Sequence, residues 1–318
     1  MVKAVTQSSF SSKVLLLGEY SIIKNSMALA MPYELFDGKL VFVRNAQGGG
    51  HDSKSLASAN ELKAFAVYIQ NVLETKNLPI TFDMTSFLFD IEHGLYFSSS
   101  IPEGYGLGSS AAVCSAVFHR YGVLTKISSE KEKIQILRNI FAVFESYFHG
   151  ESSGIDPLIS YLDGPILIQS NREIERVRLP DLSPNSKGGL FLLSTGRPRK
   201  TGPLVNLFLE LCKREEFWNE VEKELIPCTN ECIVNFLEGN VARFRDHFRT
   251  LSHFQFDHFK YMIPEEFQSI WRHGLRTGDY TFKLCGAGGG GFLLGLTDDF
   301  EKVKKIFVER RIRVVLSV

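Results

Sequence analysis

Long hydrophobic runs, paired cysteines and net charge are what this 318-residue chain lacks. The apolar run 14–17 stops at Gly18-Glu19, far short of the roughly 20 residues of a bilayer span, and no small-residue cleavage site follows it. The five cysteines are odd in number and carry no C-x-x-C pair, which argues against a disulfide framework or a zinc site. Lys plus Arg and Asp plus Glu both total 36, so no overall field draws a nucleic acid or a membrane surface. The sequence predicts a cytoplasmic chain in a reducing compartment, without nucleic-acid or membrane partners. It leaves the oligomeric state open, a homodimer included. No repeat period or low-complexity tract is visible.

With 44 % apolar residues the chain is long enough to bury the cores of two domains. The polar stretch DLSPNSK, 181–187, is the expected boundary, giving domains 1–184 and 185–318. Strands are expected at 13–19 and 38–44, and at 78–89, where apolar residues alternate. The Gly-, Ser- and Asn-rich segment 45–60 reads as a mobile loop, and 60–76 as an amphipathic helix. Further helices are expected from Ser109 or Ser110 onward and over 131–148, where Gly150 is placed as the stop. The second half reads as long amphipathic helical text from Pro203, followed by strands at TFKLC, GFLLGL and RVVLSV.

The chemistry is concentrated in two glycine clusters. The segment 101–112, IPEGYGLGSSAA, spaces Gly104, Gly106 and Gly108 evenly and then opens a helix. That pattern matches neither a Walker A loop nor a dinucleotide fingerprint. Its physics is nevertheless that of anion binding, because glycines admit close approach and a helix start offers free N–H groups and a positive dipole end. A serine-capped turn is the alternative. The second cluster, KLCGAGGGG at 283–291, packs five glycines into six residues after an apolar strand, more than a hairpin needs. Two such loops suggest a large polyanionic ligand, or a nucleotide touched from two sides.

In the order in which they occur, KVLLLGEYSIIKNSMALAMP, PEGYGLGSSAA and KLCGAGGGG resemble the three motifs of the GHMP kinase superfamily and span most of the chain. The resemblance implies an α+β fold of two domains: one similar to the second domain of ribosomal protein S5, followed by a ferredoxin-like C-terminal domain. It implies an ATP-dependent phosphotransferase using Mg²⁺, with Gly104, Gly106, Leu107, Gly108, Ser109, Ser110, Ala111, Gly286, Ala287 and Gly288 around the nucleotide.

In the window FESYFHGESSGIDPL, Glu145 and Asp156 stand eleven residues apart. Taken alone, Glu145 reads as a solvated helical residue and Asp156 as a simple N-cap. The window is similar to that of the mevalonate kinases within the superfamily, and this implies Ser110 and Glu145 as magnesium ligands, Asp156 as the base for the acceptor hydroxyl and Lys13 as the cation beside it. The segment STGRPRKTGPLV resembles the mevalonate kinase stretch that supplies an arginine and a threonine to the acceptor, here Arg199 and Thr201; an arginine fork suits a carboxylate. Glu19 and Tyr20 are the remaining acceptor-side candidates. The implied acceptor is mevalonate or a related small alcohol. Tyr20 stands where mevalonate kinases usually carry histidine, and Gly-Glu-Tyr is more similar to phosphomevalonate kinases. Phosphomevalonate or sugar kinase activity, or a silent nucleotide-binding homologue, are thus the alternatives. His247, His253 and His258 fall at spacings of six and five, which do not share one helical face, and read as ordinary helical residues.

Overall fold

The computed structural model describes residues 8–43, 53–125, 127–180, 186–199 and 201–318. The first half runs β1 (Phe10–Leu17), β2 (Ala28–Phe42), α1 (Ser53–Thr75), β3 (Ile80–Phe82), α2 (Met84–Glu92), β4 (Leu95–Ser99) and α3 (Ser109–Tyr121). It continues with β5 (Gly122–Leu124), α4 (Glu130–His149), α5 (Ile155–Leu162), β6 (Ile166–Ile168) and β7 (Ile174–Arg176). The second half contains β8 (Gly189–Ser194), α6 (Thr201–Leu211), α7 (Glu215–Glu220), α8 (Ile226–Leu237), α9 (Val241–His258) and α10 (Glu265–Thr277). It ends with β9 (Thr281–Leu284), β10 (Phe292–Thr297), α11 (Phe300–Ile306) and β11 (Ile312–Ser317).

Two compact units divide the chain: Met1–Lys13, Pro32–Pro102 and Leu107–Gly164 form the first, and Val14–Met31, Glu103–Gly106 and Pro165–Val318 the second. In the first unit, one face of α1 buries Leu62, Phe65, Ala66 and Ile69, and Phe65 meets Phe144 of α4 edge-on at 6.1 Å. Phe118 of α3 packs on Phe141 of α4 and on Tyr161 of α5. Each such ring contributes about 1.5–3 kcal/mol through burial. Together they fix α3, α4 and α5 against one another, and those helices carry Ser110, Glu145 and Asp156.

The second unit holds a four-stranded sheet of order β11-β8-β10-β9, antiparallel throughout. Helices connect β8 to β9 and β10 to β11, which is the ferredoxin-like topology. Phe191, Phe282, Leu284 and Leu294 of this sheet are buried together with Trp271 of α10, whose indole donates to Ser252 Oγ at 2.9 Å. A lysine, Lys283, stands in the buried strand β9 opposite Leu294, wholly enclosed.

Several expectations need correction. The alternating segment 78–89 is only briefly a strand, because Asp83 accepts from the Ser86 N–H at 2.9 Å and caps α2; Met84, Phe87, Leu88 and Ile91 fit a helical period as well. The strand expected at 38–44 begins ten residues earlier, since Pro32 sits inside β2 without ending it. Part of the expected loop, 53–60, is the first two turns of α1, while 44–52 lies outside the described residues. So do 181–185 of the expected boundary. Cys114, Cys212, Cys228 and Cys232 are free thiols. Among the described residues no helix is long and apolar enough to cross a membrane.

Candidate active site

The first unit gathers the candidate catalytic residues. Lys13 lies on β1 and is buried; its Nζ reaches Asp156 Oδ2 at 2.8 Å. Asp156 sits in the first turn of α5 and its side chain is 38 % exposed, so a ligand can reach it. Backbone fixes the lysine too: its N–H donates to the Leu107 carbonyl at 2.9 Å. Gly108 caps α3 in the left-handed region at φ 82°, and a Cβ there would stand 3.1 Å from Lys13 Cγ. Glycine thus both permits the turn and leaves room for the lysine stem. Leu107, Ser109 and Ala111 belong to the same turn, and the first N–H groups of the 13-residue α3 form a positive terminus suited to phosphate.

Ser110 projects from that first turn. Its hydroxyl donates to Glu145 Oε1 at 3.1 Å and lies 3.0 Å from His149 Nε2. Ser152 donates to the other carboxylate oxygen at 2.5 Å. Glu145 is buried on α4, and burial together with the charge of Asp156 pushes its carboxyl up to about 7, against the pull of the two hydroxyls and Lys13. A divalent cation would restore its charge. The donor set of hydroxyl and carboxylate oxygen suits Mg²⁺, which is commonly held by one or two carboxylates and completed by phosphate and water oxygens. Among the described residues no three His, Cys, Asp or Glu side chains could hold a metal by themselves.

The second unit gathers the other candidates around the C-terminal glycine loop. Glu19 pairs with Lys283 inside the core, and Lys283 also donates to the Leu284 carbonyl at 2.7 Å. Burial raises the Glu19 carboxyl above its ordinary range, with Lys283 pulling it back. Tyr20 is buried between Phe208 and Phe259, and its hydroxyl donates to the Ala287 carbonyl at 2.5 Å. Burial also raises its phenol. The Arg199 N–H donates to the Gly104 carbonyl at 2.8 Å, and the Gly291 N–H to the Arg197 carbonyl at 2.7 Å. Arg199 Nη1 donates to the Cys285 carbonyl at 2.5 Å. A Cβ on either Gly106 or Gly286 would collide with the Arg199 guanidinium. These bonds join the stretch 103–106 to the C-terminal loop within the second unit.

Thr201 opens α6, and its side chain lies outside the described residues. The three histidines all stand on α9, where His258 Nδ1 pairs with Glu220 at 3.0 Å. Sequence reasoning missed Ser152, His149 and Lys283 as partners of the expected residues. For Lys283 a signal existed, a lone lysine in the apolar strand text TFKLC. For Ser152 nothing distinguished it from the neighbouring Ser153.

Residues 66–164 match the family described as GHMP kinases N terminal domain. The mevalonate kinase of Pyrococcus horikoshii is 30 % identical over 189 residues, 52 % of this chain and 51 % of that protein. Its counterpart from Pyrococcus furiosus is 24 % identical over 230 residues, 69 % of this chain and 64 % of that protein. The alignments thus span between half and two thirds of those relatives. In fold, the structure of L. major mevalonate kinase in complex with R-mevalonate is similar with a TM-score of 0.62 at 16 % identity, covering 99 % of this chain and 98 % of that one. Residues 66–164 thus match the GHMP kinase N-terminal domain, within a fold similar to that of mevalonate kinase.

Proposed function

We propose that the protein is an ATP-dependent kinase that phosphorylates a hydroxyl of a small molecule, with mevalonate the first candidate and 5-phosphomevalonate the product. The observation that carries this reading is the Lys13–Asp156 pair at 2.8 Å, next to the glycine-capped start of α3 and within electrostatic reach of Glu145. Phosphoryl transfer asks the protein mainly to position groups and balance charge. Magnesium-bound ATP, when present, supplies the phosphoryl group and neutralises its oxygens. Asp156 accepts the proton of the acceptor hydroxyl, and Lys13 orients that carboxylate through its ion pair. The N–H groups at the start of α3 bind phosphate oxygens. Ser110 and Glu145 hold the metal, and Ser152 keeps the Glu145 carboxylate turned toward Ser110.

The resemblance assigns Arg199 and Thr201 to the acceptor. Arg199 has a buried Nε without a partner, a spare donor that a carboxylate can take. The mevalonate kinase relatives support mevalonate over other alcohols. A panel of mevalonate, phosphomevalonate and galactose, read by ADP release with magnesium present, tests the reading. The result expected is turnover with mevalonate. Turnover with phosphomevalonate or galactose alone would replace the acceptor, and ATP binding without turnover on any acceptor would favour a silent homologue.

A further inference from the structure

Among the described residues, three buried side-chain atoms lack a hydrogen-bond partner: Glu19 Oε2, Arg199 Nε and Gln255 Nε2. All three residues grip the same short stretch. Gln255 accepts from the Leu284 N–H at 2.7 Å, Arg199 holds the Cys285 carbonyl, and Glu19 accepts weakly from the Gly286 N–H at 3.4 Å. Tyr20 completes the grip on the Ala287 carbonyl, and does so from a rare backbone state for a side-chain-bearing residue, φ 63° and ψ −48°. Such strain persists only where surrounding contacts impose it. Here the ring is wedged at 4.9 Å from Phe208 and 5.1 Å from Phe259.

Holding a carbonyl has a consequence for the next residue. In a trans peptide the C=O of one residue and the N–H of the next point in opposite directions, and this chain contains no cis bond among the described residues. With its carbonyl on Tyr20, Ala287 turns the N–H of Gly288 away from the tyrosine. That N–H has no hydrogen-bond partner among the described residues, whereas the neighbouring N–H of Gly289 is taken by the Met262 carbonyl at 2.6 Å. An N–H held in one direction and left unpaired is a ready donor to an anion.

We propose that Tyr20 is a positioning residue for the nucleotide: by holding the Ala287 carbonyl, its hydroxyl aims the Gly288 N–H at a phosphate oxygen. This rests on the nucleotide-binding reading above and assigns Tyr20 to the nucleotide in place of the acceptor. Tyr20→Phe is the test, because it removes one oxygen and keeps the ring between Phe208 and Phe259. Binding of magnesium AMP-PNP to the full chain, measured by calorimetry without acceptor, should weaken about five- to tenfold, as expected for one lost hydrogen bond. The KM for ATP should rise to match, with the KM for mevalonate unchanged, and amides 286–289 should exchange with deuterium faster. Unchanged AMP-PNP affinity, or a change confined to the acceptor KM, would overturn the proposal. A parent chain that binds no AMP-PNP would refute the nucleotide reading instead, and equal exchange rates at 286–289 would then refute the grip itself.

Discussion

Replacing Lys283 with methionine keeps an unbranched chain in β9 and deletes one buried charge. Lys283 and Glu19 have side-chain exposures of 0 % and 1 %, so the abandoned Glu19 carboxylate has no water to turn to. What remains to it is its own backbone N–H and the long Gly286 bond at 3.4 Å, and Oε2 already lacks a partner. The cheapest response is to take up a proton. At pH 7 that lies two and a half units above the ordinary value of 4.5, and at about 1.36 kcal/mol per unit the cost is about 3.4 kcal/mol. The lost bond to the Leu284 carbonyl adds about 1 kcal/mol. The total, roughly 4 kcal/mol, matches the usual cost of breaking a buried ion pair from one side.

The sign of the pH dependence follows. In the variant the folded-state carboxyl lies above its unfolded value, so the folded form binds more protons and stability falls as pH rises above 4.5. At pH 5 the protonation cost shrinks to about 0.7 kcal/mol, leaving a deficit of about 2 kcal/mol or less. Urea unfolding of the parent and Lys283→Met at pH 5 and pH 7 measures both values. The double variant Glu19→Gln with Lys283→Met should recover part of the loss at pH 7. A deficit below about 1 kcal/mol at pH 7, or one equal at the two pH values, would refute the reasoning.

Gly106→Ala places a Cβ where the Arg199 guanidinium lies, so its cost should exceed the roughly 1–2 kcal/mol of left-handed strain and fall back to that value in an Arg199→Ala background; strictly additive unfolding energies would count against the packing. Ser152→Ala removes a hydroxyl that holds the Glu145 carboxyl down, so that carboxyl rises further above about 7. The magnesium concentration for half-maximal turnover should then increase severalfold at pH 6.5 and less at pH 8. An equal increase at both would show that Ser152 does not act through Glu145 ionisation.

The sequence showed most clearly what short-range rules control. The start of α3, the apolar stripe of α4 and its end at Gly150 follow from local capping and period, and motif spacing that resembles the GHMP kinases points to Lys13, Glu145 and Asp156. The start of β2 escaped because Pro32 reads as punctuation yet is accommodated in the strand. In 78–89 one pattern satisfies two periods, and the Asp83 cap decides between them. The Glu19–Lys283 pair and the Tyr20 grip on Ala287 join residues more than 260 positions apart, and no local pattern encodes such a pairing. From sequence Arg199 reads only as a hand for the acceptor. The structure places its guanidinium against both glycine stretches.

The central claim is that Asp156, oriented by Lys13, receives the proton of the acceptor hydroxyl. Asp156→Asn keeps the shape of the side chain and removes its capacity to accept that proton. ADP release with mevalonate should drop by at least about a hundredfold, while calorimetric binding of magnesium AMP-PNP stays within twofold of the parent. Turnover retained near the parent level would contradict the assignment of Asp156 as the base.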